Sequence, residues 1–360
     1  MREAHFISKD ESIEGGNDRF RRLAHQAGLT TRAVRQHVDA LFYPLVQPLS
    51  DEQRSLAFAA LSSLLGDLAA DIVRHGGDQL ADLDQAAAVS RTESGPLVKR
   101  PGLASALLHR AEEHRLSSRL SEVGVSAAME NLDDNSRTGR FLSALAADED
   151  EELAQRAANF CDLMAARLDG QGQPMLLADE LSEDLRIDCA WAVAAALSRE
   201  SSKDVNIVLS RSVRAALAGR DRIRSAQHRG MQLAGRLEER GDIDGRLLLK
   251  LCDEGEPLLL GACLAARTKV SSGTAWGLLM RSEPVALANF LKAAGLGKGG
   301  VTQITARLLA ARQSNMLWND ALDDALVLAS NLDKAIADRL LQYWQLDPRL
   351  RAALEAGSGI

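Results

Sequence analysis

The fold is decided by one stretch, Asp242–Ala311, which reads DIDGRLLLKLCDEGEPLLLGACLAARTKVSSGTAWGLLMRSEPVALANFLKAAGLGKGGVTQITARLLAA. Short apolar runs in it alternate with glycine, proline and serine, which are the residues that begin and end helices. Pro257 and Pro284 stand at positions typical of a helical first turn, and Gly295 is placed as a C-terminal cap. This pattern predicts helices of only about ten residues, which are stable only when they pack against one another.

The composition of the whole chain favours helices as well. Hydrophobic residues make up 46% of the 360 residues and charged residues 26%, which is ordinary for a folded protein, while aromatic residues make up only 4%. Alanine and leucine dominate over the β-branched residues that strands prefer. We therefore predict an all-α chain, and its length suggests either two domains or one elongated array at about 150 residues per domain.

A second stretch, Asp179–Glu200, reads DELSEDLRIDCAWAVAAALSRE and contains the helical text WAVAAAL. Together with KAAGL at Lys292–Leu296, this text resembles an alphaproteobacterial family catalogued as domain of unknown function 2336. The resemblance implies HEAT-like helix pairs in the N-terminal half and no particular reaction. The fold expected from it is a HEAT-like helical repeat, or α-solenoid, with a C-terminal bundle of short helices.

The domain organisation follows from the same text. Ser50 and Gln53 have the spacing of a capping box at the start of LSDEQRSLA, the text with which the resemblance opens a second helix pair. We predict four regions: a flexible tail at 1–17, the HEAT-like repeat region at 18–200, the C-terminal helical region at 201–346, and a terminal helix and tail at 347–360.

The segment Arg21–Leu41, RRLAHQAGLTTRAVRQHVDAL, has a small residue, a turn glycine and a β-branched residue at the spacing of a DNA-binding helix-turn-helix. A DNA-binding regulator that uses Arg32 and Arg35 is therefore one hypothesis. The resemblance instead places the first HEAT-like helix pair here, and we prefer that interpretation. Nucleic acid is not the expected partner, since the net charge is −7.

A basic segment, SRSVRAALAGRDRIRSAQHR at Ser210–Arg229, stands out from this acidic chain because its six arginines accompany a single aspartate. The guanidinium group suits carboxylates and phosphates, so the segment is a candidate docking surface for an acidic peptide or an acidic protein surface. The alternatives are a sensor site for a small anionic ligand and a plain solvated face. The candidate residues are Arg211, Arg214, Arg220, Arg222, Arg224 and Arg229.

Two other segments receive structural interpretations. HRAEEH, from His109 to His114, has its histidines five positions apart, which does not match the four of a zinc-binding helix, so we interpret it as a solvated charged face. Trp191 is interpreted as a core residue. The four cysteines form no CxxC pair and lie in apolar helical text, where they are expected to be small buried hydrophobes.

Catalytic chemistry is not expected from this sequence. All seven histidines lie at or before His228, so the stretch Asp242–Ala311 has none to act as a general base. We identify no catalytic residues, no cofactor-binding residues and no metal ligands. The segment GLGKGG at Gly295–Gly300 follows a predicted helix and lacks the serine or threonine of a phosphate-binding loop.

These observations predict a non-enzymatic scaffold or interaction protein whose partner is another protein and which serves bacterial signalling or a stress response. The cytoplasm is the expected location, because the N-terminus lacks the apolar core of a signal peptide. No membrane insertion is expected, and a homo-oligomer is compatible with the sequence.

Overall fold

The computed structural model describes residues 49–130, 141–200, 203–218, 225–280, 283–312 and 318–357. The predicted tail at 1–17 and the helix-turn-helix-like segment with Arg32 and Arg35 lie outside these residues. Within them, about 82% of residues are helical and there is no strand. The all-α prediction is confirmed.

The helices, with the bounds that the structure gives them, are as follows. They are α1 (Asp51–Gly76), α2 (Gln85–Glu93), α3 (Pro101–Glu130), α4 (Phe141–Leu145), α5 (Glu151–Ala166), α6 (Glu183–Leu197), α7 (Lys203–Ala218), α8 (Ala226–Arg240), α9 (Gly245–Asp253), α10 (Pro257–Thr268), α11 (Ser272–Met280), α12 (Pro284–Ala293), α13 (Lys298–Arg312), α14 (Trp318–Ser330), α15 (Lys334–Trp344) and α16 (Pro348–Gly357). Short 3₁₀ turns lie at Gly77–Gln79, Pro96–Lys99, Ala178–Glu180 and Ser198–Glu200.

The chain folds into two compact units whose segments alternate along the sequence. Of the described residues, the first unit, which we name the α1 unit, comprises those up to Arg115 and those from Leu142 to Leu233. The second, the C-terminal unit, comprises those from Leu116 to Phe141 and those from Ala234 onward. The division therefore falls inside α3 and inside α8. The four regions suggested by the sequence, including 18–200 and 201–346, stay a prediction.

Helix α1 is the central element of its unit and begins at the predicted capping box. The Ser50 hydroxyl accepts a hydrogen bond from the Gln53 backbone N–H, and the Gln53 side chain accepts one from the Ser50 N–H. The helix ends where Gly77 has φ +55°, a conformation that glycine adopts without steric cost. Leucines such as Leu61 and Leu65 are fully buried against α2, α6 and α7. The core of this unit is built around α1.

By length and composition, α1 is the one helix in the described ranges that is apolar enough to cross a bilayer. An 18-residue window of the Asp51–Gln79 segment has a mean hydropathy of 1.7. Within the α1 unit, however, 56% of that window is buried by protein. Such burial is typical of the central helix of a packed core.

In the C-terminal unit the helices are short, as predicted, and each of α9 to α13 packs against the next. Pro257 and Pro284 occupy the first turns of α10 and α12, and Gly295 follows α12 with φ +84°. Phe290 and Trp344 are both fully buried and meet edge to face, with their ring centroids 5.8 Å apart. Proline and glycine residues therefore set the helix ends, and the contact between the two aromatic rings joins α12 to α15.

A close backbone approach joins the second half of α3 to the turn after α9. A Cβ atom on Gly124 would lie 2.6 Å from the carbonyl oxygen of Asp253, which is inside contact distance. Gly255 has φ +72° and contacts Ser117 and Ser121, whose hydroxyls donate to the carbonyls of Gly255 and Glu254. Only glycine fits at both positions, so this turn is fixed to α3 by steric and polar contacts together.

Candidate functional site

An open groove lies in the α1 unit, where the end of α2 meets the C-terminal half of α6. Its volume is about 580 Å³, within the range usual for ligand sites. Its lining combines alanines of α6 with Ser90, Thr92 and Ser94 and with two arginines, Arg91 and Arg199. None of the residues that line the groove carries a carboxylate. The lining therefore combines two cationic side chains with hydroxyls and small apolar side chains.

The two arginines of the groove are held differently. The Arg91 guanidinium donates a hydrogen bond to the Ala196 carbonyl at 3.1 Å, so a contact between α2 and α6 fixes its position. Arg199 is exposed and makes no hydrogen bond or ion pair with another residue in the described part of the chain. Arg199 is therefore the cation of this groove that is available to an incoming anion.

Trp191 lies on the exposed side of the same helix. Its side chain is 39% exposed, so the interpretation of Trp191 as a core residue is wrong. Ala195, which lines the groove, follows it by one turn of α6, whereas Arg199 lies beyond the end of α6, in the 3₁₀ turn Ser198–Glu200. The apolar text WAVAAAL thus has one buried face, including Val193 and Ala194, and one outward face that carries a large aromatic side chain.

Of the predicted basic segment, the structure describes Arg211, Arg214 and Arg229. Arg211 and Arg214 are exposed on one face of α7, together with Ile207, which is 49% exposed and one turn earlier. Within the described ranges neither arginine has a hydrogen-bond or ion-pair partner. Arg229 is half-buried on α8. The remaining candidates, Arg220, Arg222 and Arg224, lie outside the described residues.

The segment HRAEEH contains buried charges, so its interpretation as a solvated face is wrong. Arg110 and Glu113 are only 4% and 3% exposed, and Arg167, at the end of α5, is 3% exposed. Arg167 donates to both oxygens of Glu113, with 2.7 Å from Nη2 to Oε2, and its Nε lies 2.9 Å from Glu180 Oε1. These four side chains form a buried ionic network.

This network holds the segment between α5 and α6 in place. Arg110 donates from Nε to the Met175 carbonyl at 3.0 Å and from Nη2 to the Arg167 carbonyl at 2.7 Å. Glu180 accepts a hydrogen bond from the Leu177 backbone N–H. The backbone groups of a segment that lacks regular structure thus find partners on α3, as burial requires. The network has a structural role in positioning α6.

The pKa values of the two carboxylates in this network are shifted in opposite directions. Burial alone opposes ionisation of Glu113, but the charge and hydrogen bonds of Arg167, with help from Arg110, hold its pKa at about 2. Burial raises the pKa of Glu180, and the neighbouring charge of Glu113 adds to the rise although Arg167 opposes it. For Arg167, burial opposes the charge, but Glu113 and Glu180 more than offset this effect and raise its pKa. Glu113 is therefore the firmly ionised member.

We expect the Glu113–Arg167 pair to make the free energy of unfolding decrease as the pH is lowered into the acid range. Because the pKa of Glu113 is lower in the folded chain than in the unfolded one, its contribution is full above about pH 4.5 and is lost as pH falls towards about 2. Urea unfolding between pH 6 and 3.5, with sucrose added to keep variants folded, should show a steeper loss for the wild type than for Glu113→Gln. The exposed-pair variant Glu152→Gln should follow the wild type. Equal pH slopes for the wild type and Glu113→Gln would contradict the assignment.

Features of catalytic sites are scarce in the described ranges. No group of three or more histidine, cysteine, aspartate or glutamate side chains that could hold a metal ion occurs among the described residues. The four cysteines are free thiols, and three of them are buried. Burial raises the pKa of Cys189 and Cys252 to about 12 and that of Cys263 as well. These three behave as the small buried hydrophobes that were predicted, and they are not activated nucleophiles.

Fold and surfaces together define an all-α protein of packed helices with an arginine-lined groove and an exposed basic helix face. A family model described as "Uncharacterised protein conserved in bacteria (DUF2336)" matches residues 135–342, which is more than half of the chain. The chain belongs to this family. The match begins before α4, ends within α15 and so includes α6 and α7. No curated protein and no solved structure matches the chain.

Proposed function

We propose that the chain is a non-enzymatic scaffold or interaction protein that binds an acidic segment of a partner protein on the outward face of α7. The observation that carries this proposal is the triplet Ile207, Arg211 and Arg214, which presents two cations and an aliphatic side chain on one exposed helical face. An apolar contact flanked by arginines is a frequent composition of protein interfaces.

The state of the other surface arginines supports this proposal. Arg54, Arg74 and Arg156 each lie within ion-pair distance of an aspartate or glutamate three or four residues away on the same helix. Arg211 and Arg214 have no such partner in the described part of the chain. In a chain with a net charge of −7, a face of uncompensated arginines attracts and orients acidic partners.

The proposal includes HEAT-like stacking, the alphaproteobacterial lineage that the resemblance implies, a cytoplasmic location and a role in signalling or a stress response. HEAT-like helix pairs are proposed for the region 18–200, although the contact of α1 with α7, which is distant in sequence, departs from the neighbour-to-neighbour packing of repeat arrays. Sequential packing from α9 to α13 supports the bundle of short helices that is proposed for the C-terminal region. The DNA-binding alternative through Arg32 and Arg35 stays a prediction, because those residues lie outside the described ranges.

The test is a double charge reversal, Arg211→Glu with Arg214→Glu, in the full-length chain expressed in its native cells. Cross-linking followed by mass spectrometry should recover one recurrent protein, joined through an acidic peptide, and the variant should reduce that recovery about tenfold or more. Helicity and melting temperature should stay close to those of the wild type, because exposed charges contribute little to stability.

The matched control is Arg246→Glu, which reverses an exposed arginine of the C-terminal unit. This variant should recover the partner as the wild type does. Unchanged recovery with the double reversal would refute the proposal. Recovery of nucleic acid in place of a protein would refute it in favour of the DNA-binding alternative.

A further inference from the structure

The outward face of α14 carries carboxylates that pair with no cation in the described part of the chain. Asp320 and Asp324 are exposed and lie one turn apart, and neither has a hydrogen-bond or ion-pair partner within the described ranges. Val327, one turn further, is 63% exposed, more than any other large apolar side chain that the structure describes. The helix packs against α13 through another side, where Ala321 and Ala325 are fully buried. We name Asp320, Asp324 and Val327 the acidic face of α14.

This face is the charge complement of the basic face of α7. Each face has one exposed apolar residue and two like charges, which lie one and two turns away from it. The residues are Ile207, Arg211 and Arg214 on α7, and Val327, Asp324 and Asp320 on α14. At about 1.5 Å per residue, the charges lie about 6 and 10.5 Å along the helix from the apolar residue on α7, and about 4.5 and 10.5 Å from it on α14. The two patterns therefore match to within about 1.5 Å in an antiparallel pair of helices.

A parallel pair of these helices would be less favourable. The apolar residue of each helix would then face a charged residue of the other, which removes water from the charge without supplying an opposite charge. In the antiparallel pair, Ile207 faces Val327 and each arginine faces an aspartate. Because the guanidinium fork matches a carboxylate in geometry as well as in charge, the antiparallel arrangement is the favoured one.

The longest acidic run of the chain does not offer an equivalent face. It reads DEDEE from Asp148 to Glu152. Asp148 and Asp150 accept hydrogen bonds from backbone N–H groups at the start of α5. Glu152 pairs with an arginine of the same helix. The large apolar side chains on either side of the run, Leu145 and Leu153, are buried. Among these acidic segments, α14 alone combines uncompensated carboxylates with an exposed apolar residue in the described ranges.

We propose that the basic face of α7 binds the acidic face of α14 from a second copy of this chain, in an antiparallel pair of helices. The inference rests on the proposed function and names its partner, since the acidic segment that α7 binds is then α14 of another copy. Each copy carries one face of each kind, so the contact joins unlike faces. Assemblies larger than a dimer are therefore allowed.

The experiment measures self-association of the full-length chain by analytical ultracentrifugation, from about 1 μM to about 1 mM. We expect the average mass to rise above that of the monomer with concentration. Raising the NaCl concentration from about 50 mM to about 500 mM should weaken the association about tenfold or more, because salt screens exposed charges. A chain that stays monomeric throughout, or an association that salt does not weaken, would overturn the proposal.

Reversing the charges of either face should weaken self-association about tenfold or more at low salt. The first variant is Arg211→Glu with Arg214→Glu, and the second is Asp320→Lys with Asp324→Lys. The matched control is Glu149→Lys with Glu151→Lys, which reverses two exposed carboxylates, one of them in the first turn of a helix as Asp320 is. The control should associate as the wild type does. Self-association that survives both reversals would contradict the assignment.

Mixing the two reversed variants distinguishes a contact from damage to the fold. The first variant has two acidic faces and the second has two basic faces, so neither pairs with itself but each complements the other. We expect the mixture to associate about tenfold or more tightly than either variant alone, and to approach the wild type. A mixture that associates no better than its components would overturn the proposal, whatever their melting temperatures.

Disulfide trapping tests the antiparallel orientation. All variants carry Cys161→Ser, because the other three native cysteines are buried. Copies with Ile207→Cys are mixed under mild oxidation with copies that carry Val327→Cys or Asn319→Cys, of which the second lies at the other end of α14 and leaves both aspartates in place. Mass spectrometry should show about fivefold more linkage to Val327→Cys. Equal linkage, or a preference for Asn319→Cys, would refute the antiparallel pair.

The outcome for this inference is separable from that for the proposed function. If the chain does not self-associate but Arg211→Glu with Arg214→Glu still removes a different protein from cross-linked cells, the inference fails and the proposed function stands. If that variant changes neither self-association nor partner recovery, both fail.

Discussion

Replacing Arg167 by methionine is expected to lower the free energy of unfolding by about 3–5 kcal/mol, because it leaves buried carboxylates without their main partner. Glu113 would keep only Arg110, whose Nη1 lies 3.7 Å away, and Glu180 would lose the cation that lies 2.9 Å from it. The measurement is urea unfolding at pH 7, followed by circular dichroism, with the midpoint and the slope both recorded.

Two control variants distinguish the effect of the charge from the effect of the buried two-pronged contact on stability. Arg167→Lys keeps the charge but loses the two-pronged contact with Glu113, so it should recover less than half of the lost stability. Glu152→Gln removes a carboxylate from an exposed pair with Arg156 and should cost about 1 kcal/mol or less. A loss for Arg167→Met that is no larger than that for Glu152→Gln would mean that the network contributes nothing to stability.

Replacing Trp344 by alanine is expected to cost about 3–5 kcal/mol, the usual range for removing a large buried aromatic side chain. Its ring is fully buried and meets Phe290 edge to face, with an interplanar angle of 86°. Loss of the ring would leave a cavity between α12 and α15. Thermal unfolding followed by circular dichroism would measure the change.

Two further variants test the cause of this loss. The Trp344 Nε1–H has no hydrogen-bond partner among the described residues, so Trp344→Phe reduces the side-chain volume without removing a hydrogen bond. Its loss of stability should therefore be clearly smaller than that of Trp344→Ala. Ile336→Ala, on the exposed side of the same helix, should cost about 1 kcal/mol or less. Equal losses for Trp344→Phe and Trp344→Ala would refute the cavity explanation.

Helix ends were predictable from the sequence because their signals are local. The capping box at Ser50, the prolines that open α10 and α12, and Gly295 after α12 each act on backbone groups within a few positions. The all-α class followed in the same way, from a composition that favours helix at nearly every position. Such signals can be recognised without knowing which helices pack against each other.

The buried network was not predictable, because its members find each other only in the folded chain. Glu113 and Arg167 are 54 positions apart, and no local pattern distinguishes a glutamate that will be buried from one that will be solvated. The exposed face of α6 was missed for a related reason. Its text is apolar on every side, so hydrophobic periodicity does not single out the face that carries Trp191.

The groove and the basic face of α7 show the same difference between local features and features that depend on tertiary contacts. The arginine content of Ser210–Arg229 was visible in the sequence, and it led to Arg211 and Arg214 directly. Arg91, near the end of α2, and Arg199, in the 3₁₀ turn after α6, were missed because each is a single arginine in its segment. Only the contact between α2 and α6 brings them to one groove. A run of charged residues can be recognised in the sequence. A surface formed by several helices can be recognised only when the packing of those helices is known.

The alternation of the two units along the chain has a consequence during synthesis. α1, an unusually apolar helix, leaves the ribosome well before its packing partner α7, which begins only at Lys203. At about 5–20 residues per second, roughly 6–25 s pass between the end of α1 and the start of α7. Throughout that interval the leucine-rich side of α1 has no complete core to enter.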